Sequence, residues 1–218
     1  MRIHAKYFLF FILMFGGGVA SLAQAAGEGA LYGPEAPAGS AFIRVFNGQI
    51  NLPVKEASIA GKEMGEVDPI TSSKYVFLDP GALEVDLDGK KHPVTLEKDS
   101  YYTLILLDGG VVKLVKDEAF DNRRKALVSF YNLTNVDSLD LKTSNEKTAI
   151  LESVSQLNTK NRQVNAVKIS VAAFEGDQKL AEAAPMNLER GKVFSLFACG
   201  DKSSPKLVWV ESQVSSQI

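Results

Sequence analysis

Few side chains in this chain could carry out nucleophilic or acid–base chemistry. Among 218 residues there are two histidines and one cysteine. His92 lies in the sequence KKHPV, beside two lysines in what reads as an exposed hairpin, and the chain contains no Gly-x-Ser-x-Gly nucleophile motif. Cys199 ends the apolar run FSLFAC, which is typical of a buried, inert thiol. The residue types therefore predict neither a hydrolytic triad nor a cysteine nucleophile.

An acidic pair could begin a calcium loop. Asp86 and Asp88 precede a glycine, and Glu97 stands at the twelfth position counted from Asp86. Such a loop needs oxygen ligands along its whole length, whereas the residues between read as a strand containing Pro93. We therefore expect a polar strand face that runs into a turn. The single cysteine excludes an intramolecular disulfide and a cysteine-cluster zinc site, and no metal or cofactor is predicted.

Three further features have both a structural and a functional interpretation. Trp209 in KLVWV could stack on a sugar, but its strand position favours packing in a core or between domains. Asn132–Thr134 fits the acceptor pattern for N-glycosylation. Arg123–Lys125 is a basic cluster that is either a solvated linker or a contact for an acidic polysaccharide or partner. The formal net charge of −2 argues against binding of nucleic acid.

The first 25 residues have the pattern of a cleaved export signal. Arg2 and Lys6 precede the apolar run Tyr7–Phe15, and Ala23–Ala25 is a small-x-small cleavage site. The apolar run is too short and too rich in glycine for a good membrane span, although an uncleaved anchor is the alternative. No cysteine follows the run, which disfavours a lipoprotein. We predict cleavage after Ala25 and export of the remaining chain.

The chain contains an internal repeat in four blocks. The blocks keep their order, and each recurs 84 to 93 residues later. A change of offset between blocks is expected where loops differ in length, and four matches in order predict two copies of one domain. The matching pairs are Ala41–Asn47 with Ala126–Asn132, Ala82–Val85 with Ala166–Ile169, Leu96–Leu106 with Leu188–Ala198, and Lys113–Val115 with Lys206–Val208.

Each copy reads as a series of short strands. Leu83, Val85 and Leu87 alternate with acidic residues, which predicts a half-buried strand. Asp88-Gly89 then supplies residues that tolerate a positive φ, as a hairpin turn requires. The predicted fold class is all-β, with two tandem small antiparallel β-sandwich domains related by internal duplication.

One segment has the spacing of a helix. The apolar residues of Ile150–Leu157 recur at intervals of three and four. The repeat places Val154 and Leu157 on Val67 and Ile70, and a proline precedes the last of these. Because a helix interior tolerates proline poorly, we expect extended connections in both copies.

The repeat also predicts where the domains begin and end. Phe120, in the charged link between the copies, suggests partial docking of that link. The predicted organisation is a signal peptide at residues 1–25, an irregular segment at 26–40, a first β-sandwich domain at 41–116, a linker at 117–125, a second β-sandwich domain at 126–212 and a tail at 213–218.

The most distinctive stretch of the chain is ALYGPEAPAGSAFIRVFN, residues 30–47. Together with LEKDSYYTLILLD (Leu96–Asp108), LERG (Leu188–Gly191) and KLVWV (Lys206–Val210), it resembles the AlgF family of alginate O-acetylation accessory proteins. The resemblance covers essentially the whole chain after the signal peptide, and the N-terminal stretch carries most of it.

The resemblance implies a role in the periplasm. In that family, acetyl groups cross the inner membrane through a membrane-bound O-acyltransferase, and SGNH-hydrolase-like acetyltransferases place them on mannuronate residues. The family lacks a catalytic signature, so the resemblance implies a non-catalytic adaptor between those partners, without a cofactor. It assigns a role to no particular residue. Irregular backbone with an aromatic anchor favours Leu31, Tyr32, Gly33 and Pro34 as a partner surface, and packing on the first domain is the alternative.

Three functions are therefore open at the level of sequence. The first is an adaptor in polysaccharide O-acetylation. The second is a carbohydrate-binding module that holds the polymer, which could be alginate, cellulose or another exopolysaccharide. The third is an acetyltransferase. A binding module should show exposed aromatic residues in a groove and affinity for polymannuronate, an enzyme should turn over an acetyl ester alone, and an adaptor should do neither but co-purify with acetyltransferases.

Overall fold

The computed structural model describes residues 36–215, in which the regular elements are strands apart from one short 3-10 turn at Asp108–Gly110. The first half contains β1 (Ala41–Asn47), β2 (Val54–Ile59), β3 (Lys62–Val67), β4 (Thr71–Ser72), β5 (Val76–Leu78), β6 (Gly81–Leu87), β7 (Lys90–Leu96), β8 (Tyr101–Leu106) and β9 (Val112–Asp117). The second half contains β10 (Ala126–Thr134), β11 (Ser138–Thr143), β12 (Ala149–Ser155), β13 (Asn158–Val164), β14 (Lys168–Ile169), β15 (Val171–Glu175), β16 (Gln178–Glu182), β17 (Met186–Asn187), β18 (Val193–Gly200) and β19 (Lys206–Glu211). No helix within the described residues is long and apolar enough to span a membrane.

Each half builds an outer and an inner sheet of the same topology, and the second half also has a two-stranded sheet. In the first half, β3-β2-β6-β7 form outer sheet 1, and β4-β1-β8-β9 form inner sheet 1, with β5 also paired to β1. In the second half, β12-β11-β15-β16 form outer sheet 2, β13-β10-β18-β19 form inner sheet 2, and β14 pairs with β17. The predicted all-β fold of two tandem sandwiches is confirmed. Each inner sheet also contains one parallel pair, β1 with β8 and β10 with β18, which side-chain alternation did not predict.

Three of the four repeated blocks occupy equivalent strands. The first block forms β1 in one copy and lies in β10 in the other, and both are central strands of an inner sheet. The third block contains β8 and the start of β18, which pair in parallel with those central strands. The fourth block lies in β9 and β19 at the same edge of each inner sheet. The order of blocks along the sequence is therefore the order of equivalent strands.

The second repeated block is aligned two residues out of register. Leu83 pairs with Val94 in one copy, and Ile169 pairs with Met186 in the other. Val94 lies two residues before Leu96, and Met186 lies two residues before Leu188, and these leucines open the third block. Leu83 therefore corresponds to Ile169 and not to Val167. Because side chains alternate with a period of two, a misalignment of two residues keeps the same face buried, so the hydrophobic pattern did not reveal it.

The segment with helical spacing is extended, as predicted, and forms strand β12 with the turn that follows. Ser153 has a positive φ of 53° beside a register shift, so Leu151 and Val154 reach the same core although they are three residues apart. Leu157 and Ile70 correspond as the repeat predicts, since they have φ values of 56° and 57°.

The four sheets stack in the order outer sheet 1, inner sheet 1, inner sheet 2, outer sheet 2. Each half has its own core between its outer and inner sheets. A third cluster of buried side chains lies between the two inner sheets: Phe46, Ile70, Ile105, Tyr131, Leu133, Phe197 and Cys199. All nine residues of β10 are buried, because its alternate side chains face outer sheet 2 and inner sheet 1.

Candidate site between the domains

The segment predicted as a partner surface, Leu31, Tyr32, Gly33 and Pro34, lies outside the described residues, as does the predicted signal peptide. The described residues begin at Ala36 and enter β1 after a turn in which the Ser40 amide donates to the Pro37 carbonyl, 3.2 Å away.

The two side chains considered for catalysis lie in different domains. His92 lies on β7 in outer sheet 1, and its pKa is lowered by partial burial and by the charge of Lys90. Cys199 lies on β18 in inner sheet 2 and is fully buried between the domains. Burial raises the pKa of its thiol to about 12, with a contribution from Asp108. The predicted burial of Cys199 is confirmed, and a protonated thiol is a poor nucleophile at neutral pH.

The acidic pair near the β6–β7 turn organises backbone. The Oδ1 atom of Asp88 accepts hydrogen bonds from the amides of Lys55 and Glu56, both at 2.8 Å. The Oδ1 atom of Asp86 accepts from the amide of Gly89 at 2.7 Å. The prediction of a polar strand face running into a turn is confirmed. Among the residues that the structure describes, no group of three or more His, Cys, Asp or Glu side chains could hold a metal ion.

Trp209 and Asn132 have structural roles. The Trp209 indole packs against the core of the second half, and its Nε1 atom donates to the Ala184 carbonyl at 3.1 Å. The Nδ2 atom of Asn132, which is fully buried, donates to the carbonyls of Val136 and Val154 at 2.9 and 3.0 Å. The glycosylation pattern at this position therefore falls inside the fold.

Aromatic rings form the apolar part of the interface between the inner sheets. The Phe197 ring stacks on that of Phe46 with centroids 3.7 Å apart, and on that of Tyr131 with centroids 4.4 Å apart. Phe46 and Tyr131 occupy equivalent positions on β1 and β10, and Ile105 is the equivalent of Phe197 on β8. The interface is therefore built from the same face of each copy.

Arg44 crosses this interface from β1 and is 1% exposed. Its Nε atom donates to Thr103 Oγ1 at 2.9 Å within the first half. Its Nη2 atom donates to Ser195 Oγ at 2.8 Å, and its Nη1 atom to Ser212 Oγ at 3.4 Å, both in the second half. The guanidinium carbon lies 4.7 Å from the centre of the Tyr75 ring, which adds a cation–π contact.

Asp117, at the end of β9, gathers hydroxyl groups from both halves. Its Oδ2 atom accepts hydrogen bonds from Tyr75 and Thr103, each at 2.7 Å, and its Oδ1 atom accepts from Tyr131 at 2.5 Å. The Thr103 hydroxyl therefore accepts from Arg44 and donates to Asp117. The buried cation and the carboxylate are linked through one side chain, which offsets part of the cost of burying the charge.

The electrostatics of this network keep its hydroxyl groups protonated. Burial raises the pKa of Tyr75 and of Tyr131, Asp117 raises both further, and Arg44 acts in the opposite direction. Burial opposes the charge on Arg44, but its attraction to Tyr75, Tyr131 and Asp117 raises its pKa overall. At neutral pH the tyrosines therefore serve as hydrogen-bond donors that join the two domains.

A cleft of about 510 Å³ opens above this network, at the end of the interface where β1, β8, β10 and β18 begin. Both halves and the link between them contribute to its walls. Phe120, which the sequence predicted to dock partially, is half-buried in this cleft. The side chains that reach its opening include Tyr101, Glu118, Phe120, Lys192 and Glu211.

The sequence identified neither Arg44 nor Asp117 as a candidate. Arg44 is the one charged residue of the apolar strand AFIRVFN, where the second copy has Ser129. A charge at a buried strand position was therefore the available signal, because such a residue needs a partner. Asp117 was assigned to the linker, whereas the structure makes it the last residue of β9. Its partners lie 14 and 42 residues away, so no local pattern could indicate them.

The fold and the cleft define a class of protein with two duplicated β-sandwich domains that share one interface. A family profile described as "Alginate O-acetyl transferase AlgF" matches residues 15–195. The chain is 40% identical over 198 residues to the alginate biosynthesis protein AlgF of Pseudomonas aeruginosa, covering 90% of each chain. It is 35% identical over 219 residues to the AlgF protein of Azotobacter vinelandii, covering 98% of each. The chain belongs to the AlgF family.

Two solved structures are also similar to parts of the chain. The C-terminal domain of AlgF from P. aeruginosa is 35% identical, with a TM-score of 0.37, and the match covers 40% of this chain and 98% of that one. The N-terminal domain of the same protein is 34% identical, with a TM-score of 0.34, and the match covers 38% and 100%.

Proposed function

We propose that this protein is a non-catalytic periplasmic adaptor required for O-acetylation of an exported polysaccharide, alginate. In this role it links a membrane-bound O-acyltransferase to SGNH-hydrolase-like acetyltransferases of the periplasm. Its relatives are alginate biosynthesis proteins, and the name of the family profile refers to O-acetyl transfer. The protein itself supplies surfaces, and its partners supply the chemistry.

The hydrogen bonding at the domain interface is the observation that favours an adaptor over an enzyme. The Ser195 hydroxyl accepts a hydrogen bond from the cation of Arg44, which lowers its readiness to act as a nucleophile. All three donors to the Asp117 carboxylate are hydroxyl groups of the same network. An acyl-transfer site needs a nucleophile bonded to a base. These groups instead hold two domains together.

Co-purification tests the adaptor directly. We expect tagged protein to retain the periplasmic acetyltransferases and the membrane-bound O-acyltransferase from membranes of the native organism. We expect purified protein to leave a chromogenic acetyl ester intact and to show no affinity for polymannuronate. Turnover that disappears in His92→Ala would identify an enzyme, and saturable binding of polymannuronate would identify a carbohydrate-binding module. Failure to retain any acetylation protein would contradict the adaptor.

Export and domain limits are part of the same proposal. Mass spectrometry of the protein isolated from the periplasm should give a chain that begins at Ala26. Limited proteolysis should cut first within residues 117–125 and leave fragments close to 41–116 and 126–212, because this link contains exposed, charged residues. A chain that retains residues 1–25 would indicate an anchor.

A further inference from the structure

The opening of the interdomain cleft combines aromatic faces with acidic groups. We call the residues Tyr101, Glu118, Phe120, Lys192 and Glu211 the cleft mouth. Tyr101 and the linker residues come from one side of the interface, and Lys192 and Glu211 from the second half. The cleft mouth therefore exists only while the two domains are docked.

The charge balance of the cleft favours a cation. Its charged lining residues are Asp117, Glu118, Lys192 and Glu211. The Nζ atom of Lys192 lies 2.9 Å from Glu211 and 3.0 Å from Glu189, so its charge is already neutralised. Arg123 is a nearby base, but it does not line the cleft.

Glu118 is the acidic group that is available to a ligand. It is exposed, and within residues 36–215 no ion pair or hydrogen bond involves its side chain. The neighbouring carboxylate, Asp117, already accepts three hydrogen bonds from inside the interface. A new cation at the cleft would therefore pair with Glu118.

The aromatic walls are held in place for such a contact. The Tyr101 ring stacks on Phe42 with centroids 4.4 Å apart, and it lies at 88° to the Tyr75 ring with centroids 5.6 Å apart. Phe120 is half-buried on the linker side. A carboxylate beside aromatic faces suits a guanidinium or ammonium group, because the rings attract the cation while the acid pairs with it.

We propose that the cleft mouth binds a lysine or arginine side chain of a partner protein, with Glu118 as its counter-ion and Tyr101 and Phe120 as its apolar walls. The proposal rests on the adaptor function and locates one docking surface on it. Lys192 is paired with Glu189 and Glu211, and Asp117 is linked to Arg44 through Thr103, so the charge left for a ligand is that of Glu118, which repels a polyuronate. The polysaccharide therefore does not bind here.

Charge reversal tests the proposal in the assembled complex. We expect Glu118→Lys to weaken retention of the periplasmic acetyltransferases about tenfold, because it replaces an attraction with a repulsion, and Phe120→Ala to weaken it less, because it removes only an apolar wall. The matched control is Asp108→Lys, which reverses an exposed acid at the opposite end of the interface and should bind as wild type. Melting curves show whether each variant is folded. Wild-type retention by folded Glu118→Lys would overturn this surface, whereas failure of the wild-type protein to retain partners would overturn the adaptor itself.

A second measurement needs no partner. Titration of the ¹⁵N-labelled protein with acetyl-Leu-Arg-Leu-amide should shift the amide resonances of Tyr101, Glu118 and Gly191, and the shifts should disappear in Glu118→Gln. The control peptide acetyl-Leu-Glu-Leu-amide should leave these resonances in place. Equal responses to the two peptides, or a response to oligomannuronate at the same amides, would contradict the proposal.

Discussion

At the scale of single residues, the centre of the molecule is a buried cation. Arg44 donates to neutral hydroxyl groups in both domains and is linked to the Asp117 carboxylate through Thr103. Burying an unpaired guanidinium would cost several kcal/mol, so the stability of the network depends on each of its hydrogen-bonded side chains. Removing either charged end exposes the other to that cost.

The substitution Asp117→Asn tests this dependence. The asparagine amide removes the counter-charge of Arg44. It also places an N–H group against hydroxyl groups that donate to the carboxylate in the wild-type protein. We therefore expect the free energy of unfolding to fall by about 2 kcal/mol. Urea denaturation measures the change. Glu118→Gln is the control, since this neighbouring side chain is exposed and should alter stability by less than about 0.5 kcal/mol. Equal losses in the two variants would show that Asp117 has no special role.

At the scale of elements, each copy has one asparagine on the central strand of its inner sheet whose side chain bonds to two neighbouring segments. The Nδ2 atom of Asn47 donates to the carbonyls of Leu52 and Val67 at 2.8 and 3.0 Å, and Asn132 makes the equivalent pair. Their Oδ1 atoms accept from the backbone two residues later in both copies. A single amide thus fixes the end of the central strand and the two segments that pass it.

The asparagine clamps give a matched pair of variants. Asn132→Ala removes the donor that two buried carbonyls share, so we expect a loss of about 3 kcal/mol in the free energy of unfolding, and Asn47→Ala should cost a similar amount. Chemical denaturation measures both. The exposed Asn158, mutated to Ala, is the control and should cost less than about 0.5 kcal/mol. A large difference between the two clamp variants would contradict their equivalence.

The elements also show what a sequence pattern can reveal. Alternation and turn residues predicted the hairpins, because these depend on neighbours along the chain; the β6–β7 turn has positive φ at Asp88 and Gly89. The inner strand Ala41–Asn47 is a nearly continuous apolar run, since burial on both faces removes alternation. The roles of Asn47 and Asn132 depend on acceptors up to 22 residues away, so the repeat marked their equivalence but not their function.

At the scale of the whole molecule, the two domains are joined by an apolar and aromatic interface. Cys199 is a natural reporter of that interface, since it is buried there and burial raises the pKa of its thiol to about 12. The thiol is therefore protected both by exclusion of reagent and by its protonation at pH 8.

Phe46→Asp should open the interface and unmask Cys199. The substitution places a charge against the Phe197 ring without removing a side chain from the core of either domain. Separation restores solvent to the thiol, returns its pKa toward the ordinary value and speeds reaction with Ellman's reagent at pH 8 at least tenfold. Val167→Asp, which adds the same charge at an exposed apolar side chain outside the interface cluster, is the control and should leave the rate unchanged. Fast labelling of the wild-type protein would show that the domains separate readily.

Deleting the protein should abolish acetylation of the exported polymer while leaving polymer synthesis largely intact. A predicted signal peptide leads the protein to the compartment where the polymer is modified. The central polar groups of its two domains are engaged with each other. The chain also belongs to a family named for alginate O-acetyl transfer. The measurement is the acetyl content and yield of polymer from deletion and complemented strains.

The point variant Tyr32→Ala tests the partner surface that the sequence predicted separately from the adaptor function. Tyr32 precedes β1 by nine residues, so its loss should weaken partner binding and lower acetylation while the melting temperature of the purified protein stays unchanged. Complementation of the deletion strain with this variant and with Glu118→Lys compares the two proposed docking surfaces in one background. Normal acetylation with Tyr32→Ala would exclude Leu31–Pro34 as a required surface and leave the cleft mouth in place. Normal acetylation in the deletion strain would contradict the adaptor function as a whole, because a linker between the acyltransferase and the acetyltransferases cannot be dispensable for the transfer that they perform.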